Sequence, residues 1–379
     1  MGNHLELVQN PHCGKERPPL MDRFTREIAG EVGRFHRSFP EYRATPLADL
    51  SCTGALLGGG SIYVKDESSR FGLGAFKVLG GSYCLGRYLE QVPAGSQLTF
   101  VTATDGNHGR GIAWAAARLG FRAVVYLPAG SSAERLENIR SLGAEASITP
   151  WNYDDTVRYA RSQAEENGWV LVQDTAWPGY EEIPTHIMQG YLTMGLEAVE
   201  QLGDRRPTHI FLQAGVGAMS GALTALFRNI YGFGPKILLV EPDQADCLYR
   251  TARADDGQLH CVAGSLDTIM AGLACGEPCT LGWELLRYGA DAFLSMGDSA
   301  AAAGMRILGN PVPGDDRVIS GESGAAGFGA LCELLRHHPL LREKLGLNEQ
   351  SVSLCFSTEG ATDTERYRSI VWDGSFQSE

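Results

Sequence analysis

Lys77 sits in the stretch RFGLGAFKVLGGSY, residues 70–83, where Phe71, Leu73, Ala75, Phe76, Val78 and Leu79 surround it with apolar groups. A lysine placed where the chain looks about to be buried neutralises, finds a partner or does chemistry, because an unpaired buried ammonium is costly. The plainer alternative is a side chain that lays its stem on apolar surface and keeps its charge in water. TATDGNHGRG offers Asp105, Asn107 and His108 among glycines, more polar groups than one helix cap requires, although a turn with an Asp or Asn cap accounts for two of them. FLQAGVGAMSGAL brings Gly215, Val216, Gly217, Ala218 and Met219 together, small residues that let backbone N–H groups close on a phosphate. Asp174 in VQDTAW reads equally as an acid for catalysis or as a cap. Ser357 and Thr358 in CFSTEG can meet a ring heteroatom or begin a turn. Glu322 and Ser323 in SGESGAAG are accounted for first by a helix start with a serine cap.

The elements that must hold these groups are strands alternating with helices. QLTFVTAT, RAVVYLP, EASITP, WVLVQDT, THIFLQ, KILLVEP, RVISGE and SVSLCFS read as strands. Helices follow most of them, for example RGIAWAAARLG and SSAERLENIRSLG, each closing on a glycine. Such alternation predicts parallel sheets with helices on both faces, and ligands in such sheets bind at the carboxyl ends of strands. Asp105, Asp174, the Gly215 loop, Glu322 and Ser357 all stand at predicted strand ends.

The 379 residues suffice for two domains or one large α/β unit, and 44% hydrophobic with 20% charged residues is ordinary for an enzyme. A formal net charge of -13 argues against non-specific nucleic-acid binding and against attraction to anionic membranes. No apolar run has the length to span a bilayer, and MGNHLELVQN lacks the pattern of a secretory leader. Nine scattered cysteines make neither a disulfide framework nor a paired metal pattern, so a reducing cytoplasm is the expected setting and no metal is expected. Cys247 with Cys275 is the one pairing considered, both lying in loops that flank the expected ligand site. His36, His337 and His338 each stand within two residues of an arginine and are expected in solvent.

The glycine spacing G-x-G-x-x-x-G after THIFLQ is one residue longer than the dinucleotide fingerprint, and Glu241 at the end of KILLVE resembles a ribose-binding acid. A nicotinamide-dependent oxidoreductase is therefore an alternative, but it leaves Lys77 unexplained. A buried lysine, a phosphate cradle and polar strand ends together point to pyridoxal 5'-phosphate, whose aldehyde takes a lysine and whose phosphate takes a glycine-rich anion site. The glycines beside Lys77 then read as room for a ring and for the lysine to move.

DESSRFGLGAFKVLGG, TATDGNHGRGIAWAA, QDTAWPGY, QAGVGAMSGAL, VEPDQADCLYR, TIMAGLACGEP and RVISGESGAAGFG together resemble the diaminopropionate ammonia-lyases, over about residues 25–372. That family lies within the fold-type-II, tryptophan-synthase-β-like pyridoxal-phosphate enzymes. The resemblance implies two interleaved α/β domains with mostly parallel sheets: residues 1–85 with 190–379 as the larger, cofactor-binding domain, and 86–189 as a smaller insert. It implies a homodimer acting on a small amino acid. Lys77 would be the Schiff-base lysine, the Gly215–Met219 loop would hold the phosphate, and Asn107 would lie against the ring hydroxyl. Ser357 or Thr358 would face the ring nitrogen, and Asp105 and Asp174 would form an acidic pair near the substrate. His108, orienting Asp105, and Glu322 are supporting candidates. The implied reaction is α,β-elimination of D- and L-2,3-diaminopropionate to pyruvate and ammonia, with Lys77 or Asp105 taking the Cα proton and aminoacrylate as the released product that hydrolyses. A serine or threonine dehydratase is the neighbouring alternative.

Overall fold

The structure is a computed structural model and describes residues 4–104 and 106–377. Along the chain the strands are β1 (Leu5–Gln9), β2 (Leu47–Asp49), β3 (Ser61–Asp66), β4 (Thr99–Ala103), β5 (Arg122–Leu127), β6 (Glu145–Ile148) and β7 (Val170–Leu171). They continue with β8 (His209–Gln213), β9 (Lys236–Pro242), β10 (Ala292–Met296) and β11 (Val352–Ser357). Seven of them form one sheet in the order β1-β10-β9-β8-β11-β3-β2, and four form a second in the order β6-β5-β4-β7. All neighbours are parallel except the edge strands β1 and β2, which run antiparallel to β10 and β3. Every residue of β8 and β10 is buried, as expected of strands covered by helices on both faces. No helix among the described residues is long and apolar enough to cross a membrane.

Two predicted strands differ in the structure, and the reasons are local. RVISGE forms no strand, because the interior of the larger sheet is full: β11 already lies between β8 and β3. Val318 N–H donates instead to Leu308 O at 2.9 Å, and Gly321 N–H to Glu359 O at 3.0 Å. WVLVQDT shortens to β7, where a side chain takes over the ladder. The Gln173 amide accepts from Ala103 N–H at 3.0 Å and donates to Ala103 O at 3.0 Å. β1, β2, β3 and β10 are strands in addition to those read from the sequence.

A buried charge network fixes the segment that leads to Lys77. Arg70 donates to Glu67 at 2.8 Å and to both carboxylate oxygens of Glu197 at 2.8 and 2.9 Å, while Lys65 pairs with the same Glu197 at 2.7 Å. Glu67, Arg70 and Lys65 are fully buried, so each charge depends on the others for solvation. Phe71 follows at φ 51°, a left-handed conformation that costs a non-glycine residue about 1–3 kcal/mol. Its ring is held against Trp114, 5.0 Å away between centroids. The helix Lys77–Leu89 then begins at the lysine itself.

Of the glycines that follow Lys77, Gly80 and Gly81 lie closely packed against neighbouring elements. A Cβ on Gly80 would stand 2.6 Å from the Tyr191 ring, and one on Gly111 would stand 2.8 Å from Val78 Cα. These positions let the lysine helix lie directly on its neighbours.

Candidate active site

The carboxyl ends of β4, β8 and β11 lead into a cleft of ≈ 340 Å³. Lys77 and Asp174 meet on its wall as an ion pair, their side chains 19% and 4% exposed. Burial alone would raise the Asp174 carboxyl, but the Lys77 ammonium, His108 and the Tyr153 hydroxyl hold it well below the usual carboxylate range. Tyr153 Oη donates to Asp174 Oδ1 at 3.2 Å and accepts from the Gln173 amide at 2.9 Å. The lysine is therefore neither snorkelling nor stranded: it is paired inside a cleft.

The glycine loop lines the same cleft. β8 ends at Gln213, and residues 215–220 line the cleft before and within the first turn of the helix Ala218–Tyr231. That first turn leaves N–H groups without intrahelical partners, and the helix dipole favours negative charge there. Gly217 adopts φ 95°, a conformation that favours glycine, and a Cβ on Gly215 would stand 3.3 Å from Leu273 Cα, a tight contact. A lysine, a glycine cradle at a helix N-terminus and a cleft within the roughly 300–1,000 Å³ range of small-molecule sites fit pyridoxal phosphate.

Asn107, the first residue of the helix Asn107–Leu119, lines the cleft. Its Nδ2 donates to Glu359, which was not singled out in the sequence. Glu359 also accepts from Ser323 N–H at 3.2 Å and is 3% exposed. A Cβ on Gly321 would stand 3.1 Å from its side chain, and one on Gly324 would stand 2.6 Å from its carbonyl. The glycines of SGESGAAG thus seat the carboxylate that orients Asn107. Thr358 also lines the cleft and accepts from the Gln213 amide at 3.0 Å. Ser357 is buried and donates to Ser320 at 2.8 Å, so of the two hydroxyls Thr358 is the one on the cleft wall.

The remaining candidates separate. His108 is buried, with Nε2 2.9 Å from Val172 O and Nδ1 4.0 Å from Asp174 Oδ2, so it stands behind Asp174. Asp105 lies outside the described residues. Glu241 is not a ribose-binding acid: it is fully buried and caps the helix Cys247–Ala254, accepting from Leu248 N–H at 2.9 Å and Tyr249 N–H at 2.6 Å. His36 is not solvated either. It is fully buried between Thr193 Oγ1 at 2.7 Å and Leu79 O at 3.0 Å, and burial depresses it to about 3, so it is neutral. Among the described residues no disulfide joins Cys247 to Cys275, both of which are buried. Tyr153, Gln213, Arg135 and Arg366 line the cleft as well, and nothing in their local sequence marks them.

Glu322 does not line the cleft. Burial, then the neighbouring Glu359, pushes its carboxyl up to about 7. The folded state holds this proton more tightly than the unfolded chain, whose glutamates titrate at about 4.3. The stability it contributes is full below that value and is lost as pH rises through about 7. A neutral amide has no such loss. Glu322→Gln is therefore expected to gain stability over the parent on going from pH 5 to pH 8, by on the order of 3 kcal/mol. Denaturant unfolding of both proteins across that range checks it, and a pH-independent difference would refute it.

Against known proteins, the family described as "Pyridoxal-phosphate dependent enzyme" matches residues 39–354. A diaminopropionate ammonia-lyase of Salmonella typhimurium is 51% identical over 377 residues, covering 92% of this chain and 92% of that protein. The crystal structure of the Escherichia coli diaminopropionate ammonia-lyase with an aminoacrylate-PLP azomethine reaction intermediate superposes with a TM-score of 0.93 at 47% identity, covering 100% of this chain and 99% of that one. The same enzyme in complex with D-serine superposes equally well, with a TM-score of 0.93 at 46% identity and the same coverage.

Proposed function

The chain belongs to the diaminopropionate ammonia-lyase family of pyridoxal-phosphate dependent enzymes, and we propose that it converts D- and L-2,3-diaminopropionate to pyruvate by α,β-elimination. The observation that carries the reading is the meeting of Lys77, an ionised Asp174 and the Gly215–Met219 loop on one cleft. Lys77 would hold the cofactor, the glycine loop its phosphate, and Asn107, braced by Glu359, and Thr358 its ring. Pyridoxal phosphate, when bound, supplies an electron sink for the carbanion at the substrate's Cα. Lys77 takes the Cα proton from one face, and Asp105 takes it from the other. Asp174, held ionised, keeps the substrate's β-amino group as an ammonium, which departs as neutral ammonia. The aminoacrylate released then takes up water, giving pyruvate and a second ammonia.

Residues 86–189 are proposed as the inserted smaller domain; their ends fall within the helices Lys77–Leu89 and Glu182–Gly190. A homodimer in the cytoplasm completes the proposal, and sedimentation would measure the assembly. The substrate is tested by pyruvate, 2-oxobutyrate and ammonia yields from D- and L-diaminopropionate, D- and L-serine and L-threonine. The expected result is turnover of both diaminopropionate enantiomers with two ammonia molecules released per pyruvate. Preference for serine or threonine, with one ammonia per keto acid, would replace the reading with a dehydratase.

A further inference from the structure

Gln213 is a polar side chain at the end of β8, a strand whose every residue is buried, and it is itself 1% exposed. The ladder between β8 and β11 pairs His209 with Ser353 and Ile210 with Leu354 and carries no further pair. Near the cleft it is therefore the Gln213 side chain, not the backbone, that bridges the carboxyl ends of the two strands. Its Nε2 stands 2.8 Å from Phe356 O and 3.2 Å from both Ser323 O and Gly324 O. Only the donating end of an amide can sit among carbonyl oxygens, which fixes which end is which. Oε1 is turned towards Gly327, enclosed and without a donor, where a Cβ on that glycine would stand 3.1 Å from it. An unpaired acceptor is costly, but an oxygen set against the carbonyl oxygens would cost more.

The remaining contact of Nε2 is Thr358 Oγ1, at 3.0 Å. An amide nitrogen has no lone pair to accept with, so this contact runs one way: Gln213 donates and Thr358 accepts. The hydrogen of the Thr358 hydroxyl is left over. Thr358 is 4% exposed and lines the cleft, and among the described residues its hydroxyl donates to none.

We propose that Gln213 is a positioning residue: it makes the Thr358 hydroxyl a donor aimed into the cleft, so that the ring nitrogen of pyridoxal phosphate is held as an acceptor without a proton of its own. Donation to the neutral form of a base disfavours its charged form. Gln213 thus acts on the ring only through Thr358. The proposal rests on the reading that sets the cofactor's ring against Thr358, and the measurement separates the two.

Holoenzyme loaded with pyridoxal phosphate carrying nitrogen-15 in its ring reports the state of that atom by NMR. In the parent the signal is expected at the position of an unprotonated, hydrogen-bonded pyridine. A pyridinium signal overturns the proposal, because it would make the Thr358 oxygen an acceptor twice over and leave its hydrogen no place. Gln213→Met frees the hydroxyl to turn to the carbonyl oxygens that have lost their donor, and Thr358→Val removes it. Both are expected to shift the signal towards that of a pyridine without a donor, by the same amount, and the double variant no further. Thr358→Ser, which keeps the hydroxyl, is expected to keep the parent's signal. A shift in Thr358→Val with none in Gln213→Met overturns the role of Gln213 and leaves the ring where it was placed. No shift in Thr358→Val overturns the placement of the ring and the proposal with it. Gln213→Asn, which keeps an amide between the strands but is one methylene short of Thr358, is expected to give the same shift and serves where Gln213→Met does not fold.

Discussion

Lys77→Met is expected to lose about four orders of magnitude in pyruvate formation. Separately, the apoprotein is expected to lose roughly 3–5 kcal/mol of stability, the cost of breaking a buried ion pair by removing one partner. The two losses have different origins, which makes them separable. Turnover is expected to fall because the group proposed to hold the cofactor and move the Cα proton is gone. Stability falls because Asp174, 4% exposed, keeps a negative charge with His108 Nδ1 4.0 Å off and no lysine on it. Adding Asp174→Asn to Lys77→Met removes that stranded charge, so the double variant is expected to regain most of the stability and none of the turnover. Unfolding of the three apoproteins and steady-state rates of the three holoproteins read the two effects independently. Borohydride reduction of the parent holoenzyme is expected to fix the cofactor's mass on the peptide carrying Lys77. Label elsewhere, or a single variant as stable as the parent, would refute the assignment.

How much of this is legible in the sequence depends on the range of each contact. Parallel strands buried on both faces read as apolar runs, which is why KILLVEP and THIFLQ stand out and the short edge strand Leu47–Asp49 does not. The Lys77 segment, the glycine loop and the strand-end hydroxyls are local patterns; Lys77, the loop and Thr358 line the cleft, while Ser357 is turned to Ser320. Glu359 is next to Thr358 in CFSTEG, yet its role rests on Asn107, 252 residues away, and no spacing reports such a pair. Glu241 shows the converse: an acid at the right place after a strand, spent on two N–H groups of the following helix. His36 was readable. Ala29, Val32, Gly33 and His36 recur at helical spacing and form the buried stripe of the helix Arg26–Arg37, and that period outweighs the arginines beside the histidine.

The proton chemistry needs a second base, and the electrostatics of the cleft say which acid it is not. Enantiomers bound through the same carboxylate and β-amino contacts present the Cα proton to opposite faces, so one base serves one of them. Asp174 is a poor second base, because the Lys77 ammonium and the Tyr153 hydroxyl that keep it ionised also take away its proton affinity. Asp105 is the second base we propose; it lies outside the described residues, next to Thr104, whose Oγ1 accepts from Gly106 N–H at 2.9 Å and Gly109 N–H at 3.1 Å. Asp105→Asn keeps the size of the side chain and removes the basic oxygen. The expected outcome is a fall of about 10²–10⁴-fold in kcat/KM for one diaminopropionate enantiomer and less than about tenfold for the other. Exchange of the Cα proton with deuterated solvent, followed for each enantiomer, is expected to show the same asymmetry and so to locate the loss at proton removal rather than at ammonia departure. Equal losses for both enantiomers would mean that a single base serves both faces, and the scheme in which Lys77 and Asp105 divide the work would fall.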